Sequence, residues 1–269
     1  MNLLGALTKP EQILPVLRER IWGSTHLSPW FPDPPHKIGE VWFPHPALDV
    51  LVKFLFTTEN LSVQVHPGDS LARQQGFPRG KTEMWHILRA APSAQIALGF
   101  AETVTPNQVR RASADESIMG LLRWIPVHQG QTWFIPAGAV HAIGAGITLC
   151  EIQQDSDLTY RLYDYGRERP LHLEESLSAL DLSFQTPGPQ SATNPLVDCP
   201  YFQVNLLRVE GNTVTDRSAS VVIAVEGEGL LESIPFKQGQ VFRVPHGCTL
   251  QLSGRALLLT VSPPATTRI

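Results

Sequence analysis

The chain has 269 residues, of which 42% are apolar and 17% charged, so it can bury a sizeable core and is too apolar to be disordered. Its net charge of -4 provides no overall basic field, which argues against nucleic acid and anionic membranes as partners. The three cysteines lack C-x-x-C spacing, no apolar run approaches the roughly 20 residues of a membrane span, and the N-terminus has no secretory pattern. We therefore expect a soluble, cytoplasmic protein with reduced thiols, a monomer or weak homo-oligomer.

Glycine and proline separate many short alternating runs, a pattern typical of β-sandwiches and β-barrels. In chain order, the candidate strands are LSVQVH (61–66), MWHIL (84–88), TWFIP (132–136), TLCEIQQ (148–154), TYRLYDY (159–165), YFQVNLLRV (201–209), SVVIAV (220–225), VFRVP (241–245) and ALLLTV (256–261). Helices are few and short, and three are predicted: 11–21, 105–122 and 172–180. The first follows a capping box, Thr8-Lys9-Pro10-Glu11, although Pro15 interrupts its interior. The predicted fold class is mainly β.

One pattern of twelve residues occurs twice. Residues 130–141 and 239–250 both fit G-x5-P-x-G-x2, followed by His141 in the first copy and by Leu250 in the second. The proline fixes φ at the entry to a tight turn, and the glycine permits a backbone conformation that other residues resist. Each copy therefore predicts a strand, a turn and a returning strand. Because the two glycines and the proline recur at equivalent positions, duplication of the segment is a better explanation than coincidence. Only the first copy keeps a side chain that can coordinate a metal.

The first copy also matches a signature of the cupin family, whose small jelly-roll barrels hold a metal inside. The sequence therefore resembles a protein of two cupin-type β-barrels with a few short helices. We expect a catalytic, metal-binding barrel with helical segments in residues 1–195 and a smaller, degenerate barrel in residues 196–269.

Alternation in the segment 61–66 indicates which side chains face the inside of the first barrel. Its apolar residues, Leu61 among them, fall on one face of the strand. The polar residues that fall on the other face are Ser62, Gln64 and His66. A Gln-x-His pair alone is more often a pair of solvated surface residues than a pair of metal ligands. Three polar residues on one face nevertheless suggest a wet, functional interior.

A second segment adds to this polar set. Lys81, Glu83 and Trp85 share a face of the next predicted strand, and His141 leaves the turn of the repeat onto an adjoining strand. Two imidazoles, a carboxylate and an amide oxygen suit zinc best, and manganese, cobalt, nickel or iron could occupy the same set. The predicted metal ligands are Gln64, His66, Glu83 and His141.

Several longer segments, which together span roughly residues 20–260, resemble the short bacterial form of type I mannose-6-phosphate isomerase. They are WG (22–23), IGEVW (38–42), LSVQVHPGD (61–69), GKTEMWHIL (80–88), FIPAGAVHAI (134–143), EIQQDSDLTYRLYDYGR (151–167) and YFQVNLLRVEG (201–211). The resemblance implies an enzyme of cupin fold that interconverts mannose 6-phosphate and fructose 6-phosphate. It also implies a small sugar phosphate as partner and one divalent metal, zinc first, as cofactor.

The resemblance further implies roles for individual residues. The metal ligands of the family fall on the four residues predicted above, and its essential arginine falls on Arg161. Ser62 and Lys81 take positions associated with the substrate phosphate, and Glu40 and Glu151 take positions that line the cleft.

The chemistry of such a reaction leaves one role open. A proton moves between C1 and C2 of the sugar through an enediol(ate), so charge that develops on oxygen must be stabilised by the metal, with Arg161 either assisting or steering the phosphate. Glu151 and Lys81 are both candidates for the general base. Alternatively, Glu151 simply pairs with Arg161.

Two rival functions follow from the same residues. A cupin oxygenase, or an isomerase of an unphosphorylated sugar, would need an open metal face for dioxygen or would lack cations at the phosphate end. A sugar-sensing cupin would bind metal and ligand without turnover. Such a sensor has less need for a complete ligand set together with Arg161.

Overall fold

The computed structural model describes residues 9–190, 194–245 and 247–264. Strands predominate among them, which confirms the predicted mainly β class. In chain order the strands are β1 Glu11–Ile13, β2 Val16–Ser24, β3 Ile38–Phe43, β4 Val50–Phe56, β5 Val63–Val65, β6 Glu83–Ala90, β7 Gln95–Phe100, β8 Leu122–Pro126, β9 Thr132–Ile135, β10 His141–Ile143, β11 Ile147–Gln154, β12 Tyr160–Tyr163, β13 Val197–Asp198, β14 Gln203–Val214, β15 Val221–Leu231, β16 Ile234–Lys237, β17 Val241–Arg243 and β18 Gln251–Ser262. The helices are α1 Asp69–Gln74, α2 Pro106–Ala114, α3 Ile118–Leu121 and α4 Leu173–Ala179.

These strands form three sheets. A six-stranded sheet has the order β2-β3-β4-β11-β6-β9, and a five-stranded sheet has the order β12-β5-β10-β7-β8. A seven-stranded sheet has the order β1-β17-β15-β18-β14-β13, with β16 paired to β15. Apart from β1, every strand of the seven-stranded sheet lies after residue 196.

The first two sheets enclose a common apolar core. Trp85 and Leu149 of the six-stranded sheet belong to the same buried cluster as Ile96 and Ile143 of the five-stranded sheet. Helices α2, α3 and α4 cover the outer side of the five-stranded sheet, where they form a second cluster with its strands. The result is the first barrel, closed on one side by short helices.

The other face of the six-stranded sheet is buried as well. Phe54 and Ile152 point away from the first barrel and join Val221 and Leu259 of the seven-stranded sheet in one large cluster. The seven-stranded sheet also encloses a separate apolar cluster, to which Leu250 belongs. The two halves of the chain therefore share a core in addition to having their own.

The described residues of both copies of the repeat share one arrangement of strands around a turn. In the first, β9 enters the turn and β10 leaves it; in the second, β17 and β18 take these places. The glycines of the turn have positive φ in both copies, 90° at Gly138 and 78° at Gly247. The predicted strand, turn and returning strand are confirmed in each copy.

The three predicted helices have different outcomes. The predictions for 105–122 and 172–180 are confirmed by α2, α3 and α4, and Thr105 and Gln108 form a capping box at the start of α2. The helix predicted over 11–21 is wrong, because β1 and β2 occupy this segment. Pro15 separates the two strands, and proline in a helix interior removes a hydrogen bond and clashes with the preceding turn. Thr8, the first residue of the apparent capping box, lies outside the described residues.

The described helices are all short, the longest being α2 with nine residues. None of them has the length and apolar character needed to cross a bilayer.

Candidate active site

A cavity of about 670 Å³ opens between the six-stranded sheet, β5 and the segment that follows residue 156. Six of the predicted site residues line it: Glu40, Ser62, Gln64, Lys81, Glu151 and Arg161. The other three, His66, Glu83 and His141, form a fully buried cluster whose possible ligand atoms all lie within 4.8 Å of one another. Lys81 joins the two groups, because it lines the cavity and donates a hydrogen bond to Glu83.

Each histidine of the cluster is held in one tautomer. Nδ1 of His66 lies 3.1 Å from the carbonyl oxygen of Leu158, and Nδ1 of His141 lies 2.9 Å from that of Ala139. A carbonyl oxygen can only accept, so both Nδ1 atoms carry the proton and both Nε2 atoms keep a lone pair. Burial, helped by the charge of Lys81, lowers the pKa of His66 to about 3 and also lowers that of His141. Both imidazoles are therefore neutral at neutral pH.

The two Nε2 atoms converge on Glu83. Nε2 of His66 lies 3.4 Å from one carboxylate oxygen and Nε2 of His141 lies 3.7 Å from the other. Burial favours the protonated form of Glu83, but Lys81, His66 and His141 together outweigh it and hold the pKa of Glu83 well below its ordinary value. The Nε2 atom of His141 has no hydrogen-bond partner among the described residues. A buried lone pair without a partner is costly, and a cation would satisfy it.

Gln64 is placed beside this cluster by strand pairing. It lies on β5 between β10 and β12, opposite His141 on one side and opposite Arg161 on the other. Side chains directly across from each other on neighbouring strands lie on the same face. Leu61, which alternation assigns to the opposite face, also lines the cavity, because β5 begins only at Val63 and the alternation does not extend back to it.

A second buried charged group lies above the cluster. Glu151 of β11 is within 3.1 Å of the ammonium of Lys53 and accepts a hydrogen bond of 3.1 Å from the indole nitrogen of Trp85. The same indole nitrogen donates to Glu83 at 3.0 Å, so Trp85 links the two carboxylates. Burial and the nearby charge of Glu83 raise the pKa of Glu151, against the opposing effect of the lysines.

Residues of both charges line the cavity, which has four arginines beside the carboxylates of Glu19, Asp157 and Glu168. Arg20, Arg161, Arg167 and Arg169 all line it, and three of them are paired: Arg20 lies 2.7 Å from Glu40, and Arg167 and Arg169 contact Asp164. Arg161 is different. Within the described part of the chain, no carboxylate lies within 4.0 Å of its guanidinium, which donates to the carbonyl oxygen of Pro170 instead. Partial burial and the charges of Arg169 and Arg20 lower the pKa of Arg161. A guanidinium that has no carboxylate partner and lies near other arginines is suited to an anionic ligand. The alternative that Glu151 pairs with Arg161 is wrong, because Glu151 pairs with Lys53.

Lys53 and the rim residues Arg20, Arg167 and Arg169 were not singled out by sequence reasoning. Lys53 had a detectable signal, because it is the single charge in the run VLVKFLF, whose residues are all buried in β4. A lysine is almost never fully buried unless it is paired, so such a position predicts a carboxylate partner. Arg20 had no such signal in the sequence, because the segment 11–21 was predicted to be a helix.

Three features of the cluster fit a divalent metal. Two neutral imidazoles offer lone pairs, a carboxylate carries the compensating charge, and the Nδ1 contacts supply the supporting hydrogen bonds usual for metal-binding histidines. The residues present therefore form a cluster that can hold a metal ion.

Comparison with known proteins gives related enzymes. Mannose-6-phosphate isomerase ManA of Bacillus subtilis is 31% identical over 89% of this chain and 94% of its own length. The mannose-6-phosphate isomerase of Streptococcus mutans is 34% identical over 73% of this chain and 68% of its own length. A crystal structure of mannose 6-phosphate isomerase from Bacillus subtilis matches with a TM-score of 0.85 at 25% identity, covering 94% of this chain and 99% of that one. No protein-family model matches the chain.

Fold and site together define the class of protein, an enzyme of cupin fold with a buried cluster able to hold a metal ion. More narrowly, the chain belongs to the mannose-6-phosphate isomerase family and is an isomerase.

Proposed function

We propose that this protein interconverts mannose 6-phosphate and fructose 6-phosphate, with one divalent metal held by Gln64, His66, Glu83 and His141. The observation that carries the proposal is the pair of neutral, buried Nε2 atoms that face Glu83, next to a cavity that Lys81 and four arginines line. The names of the relatives supply mannose 6-phosphate, and fructose 6-phosphate is its ketose isomer. Zinc is the proposed metal, because two imidazoles and a carboxylate are typical of its sites; manganese, cobalt, nickel and iron are alternatives.

The proposed reaction moves a proton between C1 and C2 of the open-chain sugar through an enediol(ate). A divalent metal bound at the cluster would act as a Lewis acid that stabilises negative charge on the substrate oxygens. Lys81 cannot keep its 3.0 Å contact with Nε2 of His66 once that lone pair binds a cation. The ammonium of Lys81 then becomes available to a substrate oxygen in the cavity that it lines.

Glu151 is the proposed general base, and Lys53 is its partner. The raised pKa of Glu151 makes the carboxylate a stronger base than an exposed one, and the ammonium of Lys53 beside it can donate to the oxygen that gains charge. Acid–base catalysis of this kind contributes about 10²–10⁴-fold. Arg161, free of a carboxylate partner at the mouth, is proposed to bind the phosphate, and Ser62 and Glu40 to line its path.

The proposal also assigns a separate role to each half of the chain. Residues 1–195 would carry the catalytic barrel, and residues 196–269 would form a second barrel that covers its outer sheet. Three free thiols and a metabolic substrate support a cytoplasmic location.

The test is turnover of mannose 6-phosphate to fructose 6-phosphate by the purified protein, before and after chelation and with zinc restored. We expect activity to disappear with the chelator and to return with the metal. Glu83→Gln should lower kcat/KM by more than about 100-fold, because even residues that only support a metal ligand are worth 10–100-fold. Glu210→Gln, on an exposed carboxylate of the seven-stranded sheet, is the matched control and should keep the wild-type rate.

A different result would select a rival function. A folded protein that binds sugar phosphate and metal, yet shows no turnover with any divalent metal, would be a sensor instead of an isomerase. A wild-type rate in Glu83→Gln would show that the metal ligands are wrongly assigned.

A further inference from the structure

A row of side chains crosses the six-stranded sheet on its cavity face. Backbone register places Trp42 of β3 opposite Lys53 of β4, Lys53 opposite Glu151 of β11, and Glu151 opposite Trp85 of β6. The side-chain contacts follow the same order. The ammonium of Lys53 lies 4.4 Å from the centre of the Trp42 ring and 3.1 Å from Glu151, which in turn accepts from Trp85. Trp42 is therefore the outer end of a chain of contacts that leads to the proposed base.

Lys53 depends on these neighbours for its position. Its side chain is 3% exposed, so water does little to solvate the ammonium. A lysine stem has four flexible carbons, and one carboxylate contact leaves the ammonium free to swing about that contact. The face of an aromatic ring within about 6 Å attracts a cation, and the attraction is strongest when the cation is desolvated, as here. Ring and carboxylate together fix Lys53 from two sides.

Packing alone does not explain a tryptophan at position 42. Its indole nitrogen is buried without a hydrogen-bond partner among the described residues, a cost that leucine or phenylalanine would avoid. Its ring, however, attracts two cations from the flanking strands, Lys53 from β4 and Arg18 from β2, the latter at 5.1 Å. What the indole supplies is the most electron-rich face that any side chain offers.

We propose that Trp42 is a positioning residue of the active site, whose ring fixes the ammonium of Lys53 beside Glu151 in the cavity. Trp42 does not line the cavity itself, so it acts through Lys53. The inference rests on the proposed function, because the position of Lys53 affects turnover only if the cavity is where the isomerisation takes place.

The test is site-specific replacement of Trp42 by tryptophans with one, two and three ring fluorines. Fluorine withdraws electron density from the ring while hardly changing its shape, so it weakens the attraction for a cation and leaves packing intact. We expect kcat to fall stepwise with each fluorine, to about one tenth at three, with less than a twofold change in KM. Trp42→Leu should lose at least as much, and Trp42→Phe should fall between Trp42→Leu and the wild type.

The matched control is Trp30, whose ring carries Arg89 at 5.3 Å and lies outside the cavity. The same fluorinated series at Trp30 should leave kcat and KM unchanged. If the wild type is active and kcat does not respond to fluorine at position 42, Trp42 only packs and the inference is wrong. A rise in KM at constant kcat would also overturn it, because Trp42 would then act on binding. Absence of turnover in the wild type with every metal would overturn the proposed function, and the inference with it.

Discussion

The two copies of the turn, residues 130–141 and 239–250, have glycines of positive φ at equivalent positions and different chemistry. Both return from a strand through a glycine with positive φ, and both place their last residue in a buried position. In the first copy that residue is His141, opposite Gln64 on β5 and within reach of Glu83. In the second it is Leu250, inside the apolar cluster of the seven-stranded sheet. Each turn thus places one side chain in a buried position. The identity of that side chain decides whether it joins a cluster that can hold a metal ion or an apolar core.

We expect the largest effects when the last residue of each copy is replaced by that of the other copy. His141→Leu removes one of two imidazoles from the cluster, and we expect loss of bound metal and a fall in kcat/KM of more than about 100-fold. Leu250→His places an unpaired imidazole in an apolar core and should cost about 1–3 kcal/mol of unfolding free energy without changing the rate. Metal content by mass spectrometry, turnover and urea denaturation measure these effects. A metal-loaded, active His141→Leu variant would show that the difference between the copies is not functional.

The contact between the two halves should be sensitive to pH through His86. It lies on β6 with its side chain on the face away from the active site, next to Val225 and Leu257 of the seven-stranded sheet around a shared cavity. Burial lowers the pKa of His86 from 6.5 to about 4. Between these two values the unfolded chain binds a proton that the folded protein does not, so stability falls as the pH falls from about 6.5 to about 4. The shift corresponds to about 3 kcal/mol.

His86→Gln keeps a hydrogen-bonding group near Thr132 but removes the titration, so its unfolding free energy should depend less steeply on pH in this range. His128→Gln, at an exposed position, should leave the wild-type slope unchanged. Urea denaturation at several pH values measures both slopes. An unchanged slope in His86→Gln would mean that other groups account for the acid sensitivity.

The smallest expected difference concerns the turn glycines themselves. A methyl group at Gly138 would lie 3.1 Å from the Cβ atom of Asp181, whereas one at Gly247 would meet nothing within 4 Å. Both alanine variants carry the backbone strain of positive φ, about 1 kcal/mol or more. Gly138→Ala should lose about 1 kcal/mol beyond Gly247→Ala and should also slow turnover, because His141 lies three residues further on. Equal losses of stability, with equal rates, would mean that the two turns are interchangeable.

Sequence reasoning recovered the features that depend on local pattern. Alternation predicted that Gln64 of β5 and His66, which comes directly after it, share a face, and the repeat located His141 after its turn. Sequence reasoning failed where two interacting residues are distant from each other in the chain. Lys53 and Glu151 are cross-strand neighbours on β4 and β11, and nothing local to either residue specifies that pairing.

The segment 11–21 illustrates the same limit. Its spacing of apolar and charged residues fits a helix, yet Ile13 pairs with Val241 of β17 and Leu17 pairs with Val41 of β3. Tertiary pairing overrides a weak local preference for helix, and Pro15 has already removed part of that preference.

The pairing of β1 with β17 also has a consequence for the synthesis of the protein. Glu11 of β1 and Arg243 of β17 are separated by 232 residues, so β1 cannot pair until a segment synthesised much later has left the ribosome. At 5–20 residues per second, the wait is roughly 10–50 s. Once β11 has been made, the outer face of the six-stranded sheet, with Phe54 and Ile152, has no seven-stranded sheet to cover it until residues 197–262 follow. The nascent chain is therefore expected to depend on chaperones until residues 197–262 have been made.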